Sequence, residues 1–398
     1  MIGRRLSPKR MNTTKAGFAA FKSLKDLKPI LSSSPPCLSV YMALDAAPAN
    51  QSAKTNALRW RECVRMLDEK IQQNGSEARE LLESISDWDA IWAEEQQSGK
   101  SIAVFRSPDV FSVTSLTEPV KGRAVVGPHF YVRPLLPELV RENTFYILAL
   151  SQKDVRVLRC TSSTSEEVGL PASVAKSFDA FMNSAKPDHV TDNRASPGPG
   201  AGSSKGVMFS TSTDKEDKDE YLAHFYKQID RGVNELLRGK TEPVVPVGVE
   251  YELALYRSLN TYPHLVDEVQ GAPNSLKAGE MHARALDALA RQYEKKVDDA
   301  LAEYNHKVGG GASNRLKDIV PAAHDGRVLT LLVSDSAEIP GSFDETTYKV
   351  KGRESGTSED EDLINDAVVQ TILHAGQVFV VPNRKMPNGA PLSAIFRF

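Results

Sequence analysis

The chain has only three cysteines in 398 residues, Cys37, Cys63 and Cys160. They are odd in number, far apart and without the paired spacing of zinc ligands, so neither a disulfide framework nor a metal site is expected, and a reduced, cytoplasmic setting fits. No apolar run approaches the roughly 20 residues that span a bilayer, which leaves a membrane out of the expected partners. An excess of charge is lacking too. With 49 Lys and Arg against 52 Asp and Glu, the net charge of −3 excludes the overall basic field of a non-specific nucleic-acid binder. DNA is therefore not an expected partner, and any contact with structured RNA would use local patches. The sequence also holds no G-x-S-x-G nucleophile elbow. No residue is assigned a catalytic role, and no cofactor is expected.

What is present is a globular composition, 40% apolar and 25% charged, long enough for two to four domains. The single basic region lies at the start, where Arg4, Arg5, Lys9, Arg10, Lys15, Lys22, Lys25 and Lys28 face one acid, Asp26. It has no continuous apolar core and does not read as a secretory signal. Phe18, Phe21, Leu24 and Leu27 recur at i+3, the spacing of a short amphipathic helix. A first module is expected over 35–138: a strand at Cys37–Met42, helices through Leu58–Ile71 and Glu77–Gln97, and a hairpin of Ser101–Phe105 with Val110–Leu116. Val125–Val132 extends that sheet, and the prolines of Arg133-Pro134-Leu135-Leu136-Pro137 mark a boundary.

A second module, 139–242, opens with strands Thr144–Leu150 and Val155–Cys160, followed by helices at Ala172–Met182 and Lys215–Leu237. Between those helices runs 183–214, rich in Pro, Gly and small polar residues, a length that inside a domain points to function or disorder. A third module, 243–398, has a strand at Val244–Val247, a helix through Tyr251 and Tyr256, and a long helix Glu280–Asn305 ended by Gly309-Gly310-Gly311. A helix at Leu316–Ala323 and a central strand at Val328–Val333 follow, then a loop at Ser334–Asp360. A helix Leu363–Leu373 capped by Gly376 and strands Val378–Val381 and Ala394–Phe398 complete it.

The stretch Gly198-Pro199-Gly200-Ala201-Gly202-Ser203-Ser204-Lys205-Gly206 superficially looks like a phosphate cradle. Lys205 is followed by Gly206 rather than Ser or Thr, and no buried strand leads directly into it, so it fails the P-loop pattern. A solvated loop, or one that enters a ribonucleoprotein partner, fits better; Arg194 and Lys205 are its candidate phosphate contacts. Tyr262-Pro263-His264 and His324-Asp325-Gly326 carry the two most noticeable histidines. The second reads as a helix C-terminus, where His suits the dipole and Gly takes positive φ. The run Glu359-Asp360-Glu361-Asp362 reads as helix capping and solvation rather than metal binding.

Several segments resemble one family. Val249-Glu250-Tyr251 through Arg257, Asn260-Thr261-Tyr262-Pro263-His264-Leu265, Ile319 through Val328, Asp362-Leu363 with Ala367–Thr371, and the tail from Val380 to Phe398 look like the bacterial archaeo-eukaryotic release factor-like family, of the family 3 type. Pro36–Tyr41 and Arg133–Leu136 fit as well. The resemblance implies an α/β protein of three modules, with an RNase H-like middle domain and a C-terminal αβα sandwich of the kink-turn-binding ribosomal protein type. In release factors the middle domain carries a Gly-Gly-Gln loop that positions water to hydrolyse peptidyl-tRNA. Here no Gly-Gly-Gln occurs, 183–214 has no glutamine, and the stop-codon-reading Asn-Ile-Lys-Ser is absent. The resemblance then implies a ribosome- or RNA-associated factor of the Pelota type, in rescue, quality control or regulation, with a possible protein partner at the C-terminal domain. The ribosome-probing loop would be Arg194, Gly198, Gly200, Gly202, Ser203, Ser204 and Lys205. A divergent peptidyl-tRNA hydrolase and an RNA-independent interaction scaffold are the alternatives.

Overall fold

The computed structural model describes residues 17–18, 21, 23–45, 49–74, 77–87, 91, 99–141, 144–185, 213–352 and 361–398. The chain divides into two compact units, Met1–Arg141 with Lys295–Phe398, and Glu142–Glu294.

The first unit begins with β1 (Gly17–Phe18) and a helical turn running into α1 (Lys28–Leu31), then β2 (Cys37–Ala43), α2 (Ala49–Asn74) and α3 (Glu77–Ile85). β3 (Ser101–Arg106), β4 (Phe111–Leu116) and β5 (Arg123–Gly127) complete a sheet of order β1-β4-β3-β2-β5. Its strands read as nearly continuous apolar runs because both faces are covered. Leu38, Val40 and Met42 pack with Trp60, Leu67 and Leu82 from the helices, while Cys37 and Tyr41 join a second core shared with Ile319, Leu331 and Ile364. The period of two in side-chain direction thus assigns each half of β2 to a different layer. The chain leaves this sheet through a helical turn at Arg133–Leu135 and α4 (Leu136–Leu139).

The second unit holds β6 (Thr144–Ala149), β7 (Arg156–Thr161), β8 (Ser165–Val168), α5 (Phe178–Ala185), α6 (Thr213–Leu236), β9 (Val244–Gly248), α7 (Glu250–Leu259) and β10 (Val269–Gln270). The sheet order is β10-β9-β6-β7-β8; β7 is antiparallel to its neighbours β6 and β8, and β9 and β10 continue parallel to β6. Here too a strand serves two layers. Tyr146 and Leu148 pack with Phe225, Ile229 and Tyr256 from α6 and α7, whereas Phe145 and Ile147 pack with Met281, Ala285 and Ala288 of α8 (Ala278–Lys307). The division between the units falls within α8.

The chain then forms β11 (Ala312–Ser313), α9 (Leu316–His324), β12 (Val328–Ser334), β13 (Pro340–Asp344), β14 (Lys349–Gly352), β15 (Glu361–Asp362), α10 (Leu363–Leu373), β16 (Gln377–Val381) and β17 (Leu392–Phe396). One sheet runs β11-β17-β12-β16, with β12 and β16 parallel; a smaller one runs β14-β13-β15.

The elements depart from expectation in several places. In place of the short amphipathic helix expected through Phe18, Phe21, Leu24 and Leu27, Phe18 lies in β1 and Leu24–Leu27 forms a 3-10 turn. The Val125–Val132 strand is displaced to Arg123–Gly127, and Arg133–Pro137 forms helical turns, the prolines occupying first-turn positions where no amide is required. The Ala172–Met182 helix starts only at Phe178. Ser334–Asp360 contains the β13–β14 hairpin, whose short polar strands lack an apolar alternation to announce them. The segment 243–398 is divided between the two units at Lys295.

The two helix ends of the C-terminal part contrast. At α9, Gly326 has φ of +69° and the Gly326 and Arg327 amides donate to Ala323 and Ala322, a Schellman closure. At α10 the left-handed position is taken by Ala375 (φ +57°), not Gly376, and Gly376 donates to Thr371. Gly376 is required instead by crowding, since a Cβ there would lie 2.6 Å from Thr371 Cγ2 and 2.8 Å from the Val328 carbonyl. Relief of the left-handed strain at Ala375 outweighs the added chain entropy, so Ala375→Gly should raise stability by about 0.5–1 kcal/mol. Gly376→Ala should lower it by about 1–3 kcal/mol. Urea denaturation of both variants measures this, and equal signs would contradict the assignment.

Candidate functional site

The site grows from α10. The run Leu363-Ile364-Asn365-Asp366-Ala367-Val368-Val369 is apolar around most of the helix, and all of it is buried. Asn365 and Asp366 are therefore polar groups in an apolar setting and must find partners. Asn365 accepts the Val132 amide at 2.8 Å and donates to the Phe130 carbonyl at 3.1 Å. Just ahead, Asp362 is the N-cap, accepting the Ile364 amide at 3.1 Å and the Ile339 amide at 3.2 Å through Oδ1. Its Oδ2 faces Arg133 Nη1 at 2.6 Å in an ion pair whose side chains are only 8% and 10% exposed. Arg133 also donates to the Ser334 carbonyl at 3.2 Å. Tyr131 is fixed from the opposite side, its amide donating to Ser39 Oγ at 3.0 Å and its carbonyl accepting Tyr41 Oη at 2.6 Å.

Around this junction lie two adjoining clefts of about 270 and 170 Å³. Both are lined by Arg123, Tyr131 and Glu338. Arg123 pairs with Glu338 and lies over the Tyr131 ring, 4.8 Å from its centre. The larger cleft opens at the carboxyl ends of the parallel strands β12 and β16, beside Ser334, Ser336 and Val380, the position at which open α/β sheets bind ligands. The smaller is walled by Lys70, His129, Glu361 and Asn365. Burial and then Arg123 hold the Lys70 ammonium below the usual lysine range, and Lys70 donates to the Ala124 carbonyl at 2.8 Å. Burial and then Asp366 push the Glu361 carboxyl up to about 7, against the pull of His324. Basic and acidic linings balance: Lys70, Lys121, Arg123 and Arg133 face Asp335, Glu338, Glu361 and Asp362. A groove so balanced is not built for a phosphate backbone, which rewards uncompensated cations.

Asp366 turns to α9, where its Oδ2 lies 2.9 Å from His324 Nε2. His324 Nδ1 lies 3.3 Å from Glu345. His324-Asp325-Gly326 thus joins the clefts' surroundings in the first unit. Tyr262-Pro263-His264 lies in the second unit and is structural there: Tyr262 is buried and donates to the Glu242 carbonyl at 2.7 Å, and the His264 carbonyl accepts the Val244 amide at 3.0 Å. Its neighbour Thr261 is held by the buried Asp230 through two hydrogen bonds. Arg194, Gly198, Gly200, Gly202, Ser203, Ser204 and Lys205 lie outside the described residues. Sequence reasoning missed Arg123, His129, Glu338, Glu361, Asn365 and Asp366. The last two carried a readable signal, adjacent polar residues interrupting a helical apolar run. Among the described residues no group of His, Cys, Asp and Glu could hold a metal ion, and no helix is long and apolar enough to cross a membrane.

The model of the bacterial archaeo-eukaryotic release factor family 3 matches residues 144–327 of the chain. No curated protein matches the chain. Among solved structures, the archaeal translation termination factor aRF1 is 16% identical over 94% of this chain and 96% of that one, with a TM-score of 0.21. Dom34 of S. cerevisiae, a translation termination-like factor, is 14% identical over 72% and 73% of the two chains, with a TM-score of 0.37. Archaeoglobus fulgidus Pelota is 8% identical over 95% and 93%, with a TM-score of 0.30.

Removing one member of the buried ion pair strands the other. Arg133→Met should destabilise the first unit by about 3–5 kcal/mol, and adding Asp362→Asn should restore part of that loss because the neutral amide needs no counter-charge. A denaturant double-mutant cycle reads the coupling; additive losses would show that the pair is not the junction described.

Proposed function

We propose that the protein is a ribosome- or RNA-associated factor of the release-factor type, acting in rescue, quality control or regulation without Gly-Gly-Gln hydrolysis. The family match over 144–327 carries this reading. The absence of Gly-Gly-Gln from the whole sequence argues for the non-hydrolytic form. The second unit supports an RNase H-like middle domain, since three antiparallel strands are followed through helices by two strands parallel to the first. In this reading the segment 183–214 is the loop that probes the ribosome; its residues 186–212 follow α5 and precede α6 in the sequence. Arg194 and Lys205 are the residues that would meet phosphate, and the C-terminal domain, 243–398, would supply protein contacts in the cytoplasm.

Sedimentation of lysate through sucrose at low and high salt tests the reading. Co-migration with ribosomes or a subunit, weakened by salt, is expected. Arg194→Glu with Lys205→Glu should reduce it, each lost phosphate contact lowering the salt slope by about one. Migration only as free protein, in growth and under stalling stress, would remove the ribosomal role. Peptide released from stalled ribosomes, and abolished by bulky residues at Gly200 and Gly202, would replace it with a divergent hydrolase.

A further inference from the structure

The β13–β14 hairpin lies against the end of α9, and three contacts from three separate hairpin residues fix it there. The Phe343 ring is 4.5 Å from the His324 ring, centre to centre, Glu345 reaches His324 Nδ1 at 3.3 Å, and Tyr348 Oη donates to Asp325 Oδ1 at 2.8 Å. His324 is 13% exposed, and its other nitrogen is held by Asp366, which is 7% exposed. An imidazole with a carboxylate at each nitrogen needs a proton on both, because neutral imidazole has one donor only. Loss of one proton therefore turns one of these two contacts from attraction into repulsion between lone pairs. Asp366 is the buried partner, with its place on α10 fixed; Glu345 is 74% exposed and sits on a turn. The contact to the hairpin is the one that gives way.

We propose that the β13–β14 hairpin is a pH-governed strap, latched to α9 by doubly protonated His324 and released when that proton leaves. Release would free the hairpin end of the wall formed by Pro340 and Glu361, which line the smaller cleft, and so widen the cleft.

Every charged group near the latch can be assigned a sign. Burial lowers the His324 affinity for protons, but Asp366, Glu345 and Asp325 outweigh it, so its pKa lies above the ordinary 6.5. A raised histidine stabilises the latched state fully below 6.5, and that stabilisation is lost as pH rises through the raised value. Glu361, on β15, acts in the same sense: its carboxyl, raised from 4.5 to about 7, is neutral in the latched state, so ionisation across that interval disfavours it. His129 opposes both. Burial lowers its pKa, so it disfavours the latched state only below 6.5 and is silent above. On the hairpin, Lys349 and Lys351 of β14 are exposed, and Asp344 is tied up by the Thr346 and Thr347 amides. Arg327 pairs with Asp325, while β12 and β17, which also pack on α9, carry no charged residue. Above 6.5 the remaining effects all point to release.

Amide hydrogen exchange of the full-length protein, corrected for intrinsic base catalysis, tests the strap directly. Protection of residues 341–351 should fall about tenfold or more between about pH 6 and pH 8.5, while α10 stays protected. In His324→Gln the hairpin should be weakly protected, with only the smaller pH dependence that Glu361 contributes. Glu361→Gln should keep the fall that His324 causes above its ordinary 6.5, separating the two groups. Unchanged protection in the wild-type protein, or the same pH-dependent loss in His324→Gln, would overturn the proposal. Should His324→Gln not fold, NMR titration of the wild-type imidazole decides instead, and a pKa at or below about 6.5 refutes the latch.

Discussion

The first unit depends on one carboxylate. Asp362 starts α10 by capping the Ile364 amide, receives the Ile339 amide that leads into β13, and neutralises Arg133 as the chain leaves the N-terminal sheet. Buried ion pairs rarely add net stability over an apolar substitute, because desolving both charges costs several kcal/mol. Their strength is discrimination: a slip of one residue along α10 would leave a guanidinium and a carboxylate unpaired in an apolar layer. The pair thus fixes which residue of the segment Phe130–Arg133 meets which turn of α10. Asn365 fixes the same register by a second means, reading the backbone at Phe130 and Val132.

The three polar residues at the head of α10 share one logic. Positions 362, 365 and 366 are spaced i, i+3 and i+4, which places them on neighbouring parts of one helix face. Each is buried or nearly so, and each is given to a different neighbour: Asp362 to Arg133, Asn365 to a backbone segment, Asp366 to His324. A largely apolar helix can tolerate this because each of the three polar groups has a partner, the condition under which buried networks specify rather than destabilise. The cost appears at Glu361, drawn into the same low-polarity region beside Asp366, where it is left with a raised proton affinity.

Much of the fold was legible because its strongest signals are local. Cys37–Ala43, Ser101–Arg106, Phe111–Leu116 and Thr144–Ala149 are apolar strands bounded by turn residues, and α8 and α10 carry long apolar stretches at helical spacing. The β13–β14 hairpin was not legible: Pro340–Asp344 and Lys349–Gly352 are largely exposed, so no alternation marks them, and their position comes from pairing with β15 and contact with α9. The site was half legible. His324-Asp325-Gly326 stood out, and Gly326 does hold the positive φ its place required. Its partner Asp366 lies 42 residues away, and nothing in spacing alone joins the two. Arg133 was noticed only for the prolines beside it, since an arginine in sequence does not announce that a carboxylate 229 residues on will neutralise it.

The span matched by the family model ends at Arg327, one residue past the glycine that closes α9. It therefore includes His324 but neither Asp366, which supports its ring, nor Glu345, which approaches from the hairpin. The histidine lies inside the matched span and its two carboxylate partners lie beyond it. Inside the span His324 reads as a helix terminus, favoured by the dipole and followed by a closing turn. Its second role exists only where the residues after 327 add two carboxylates. A terminal histidine that merely favours a dipole needs neither of its nitrogens held, and here both are. That excess of partners over what the helix end requires is the physical reason to treat the end of α9 as more than a stop signal.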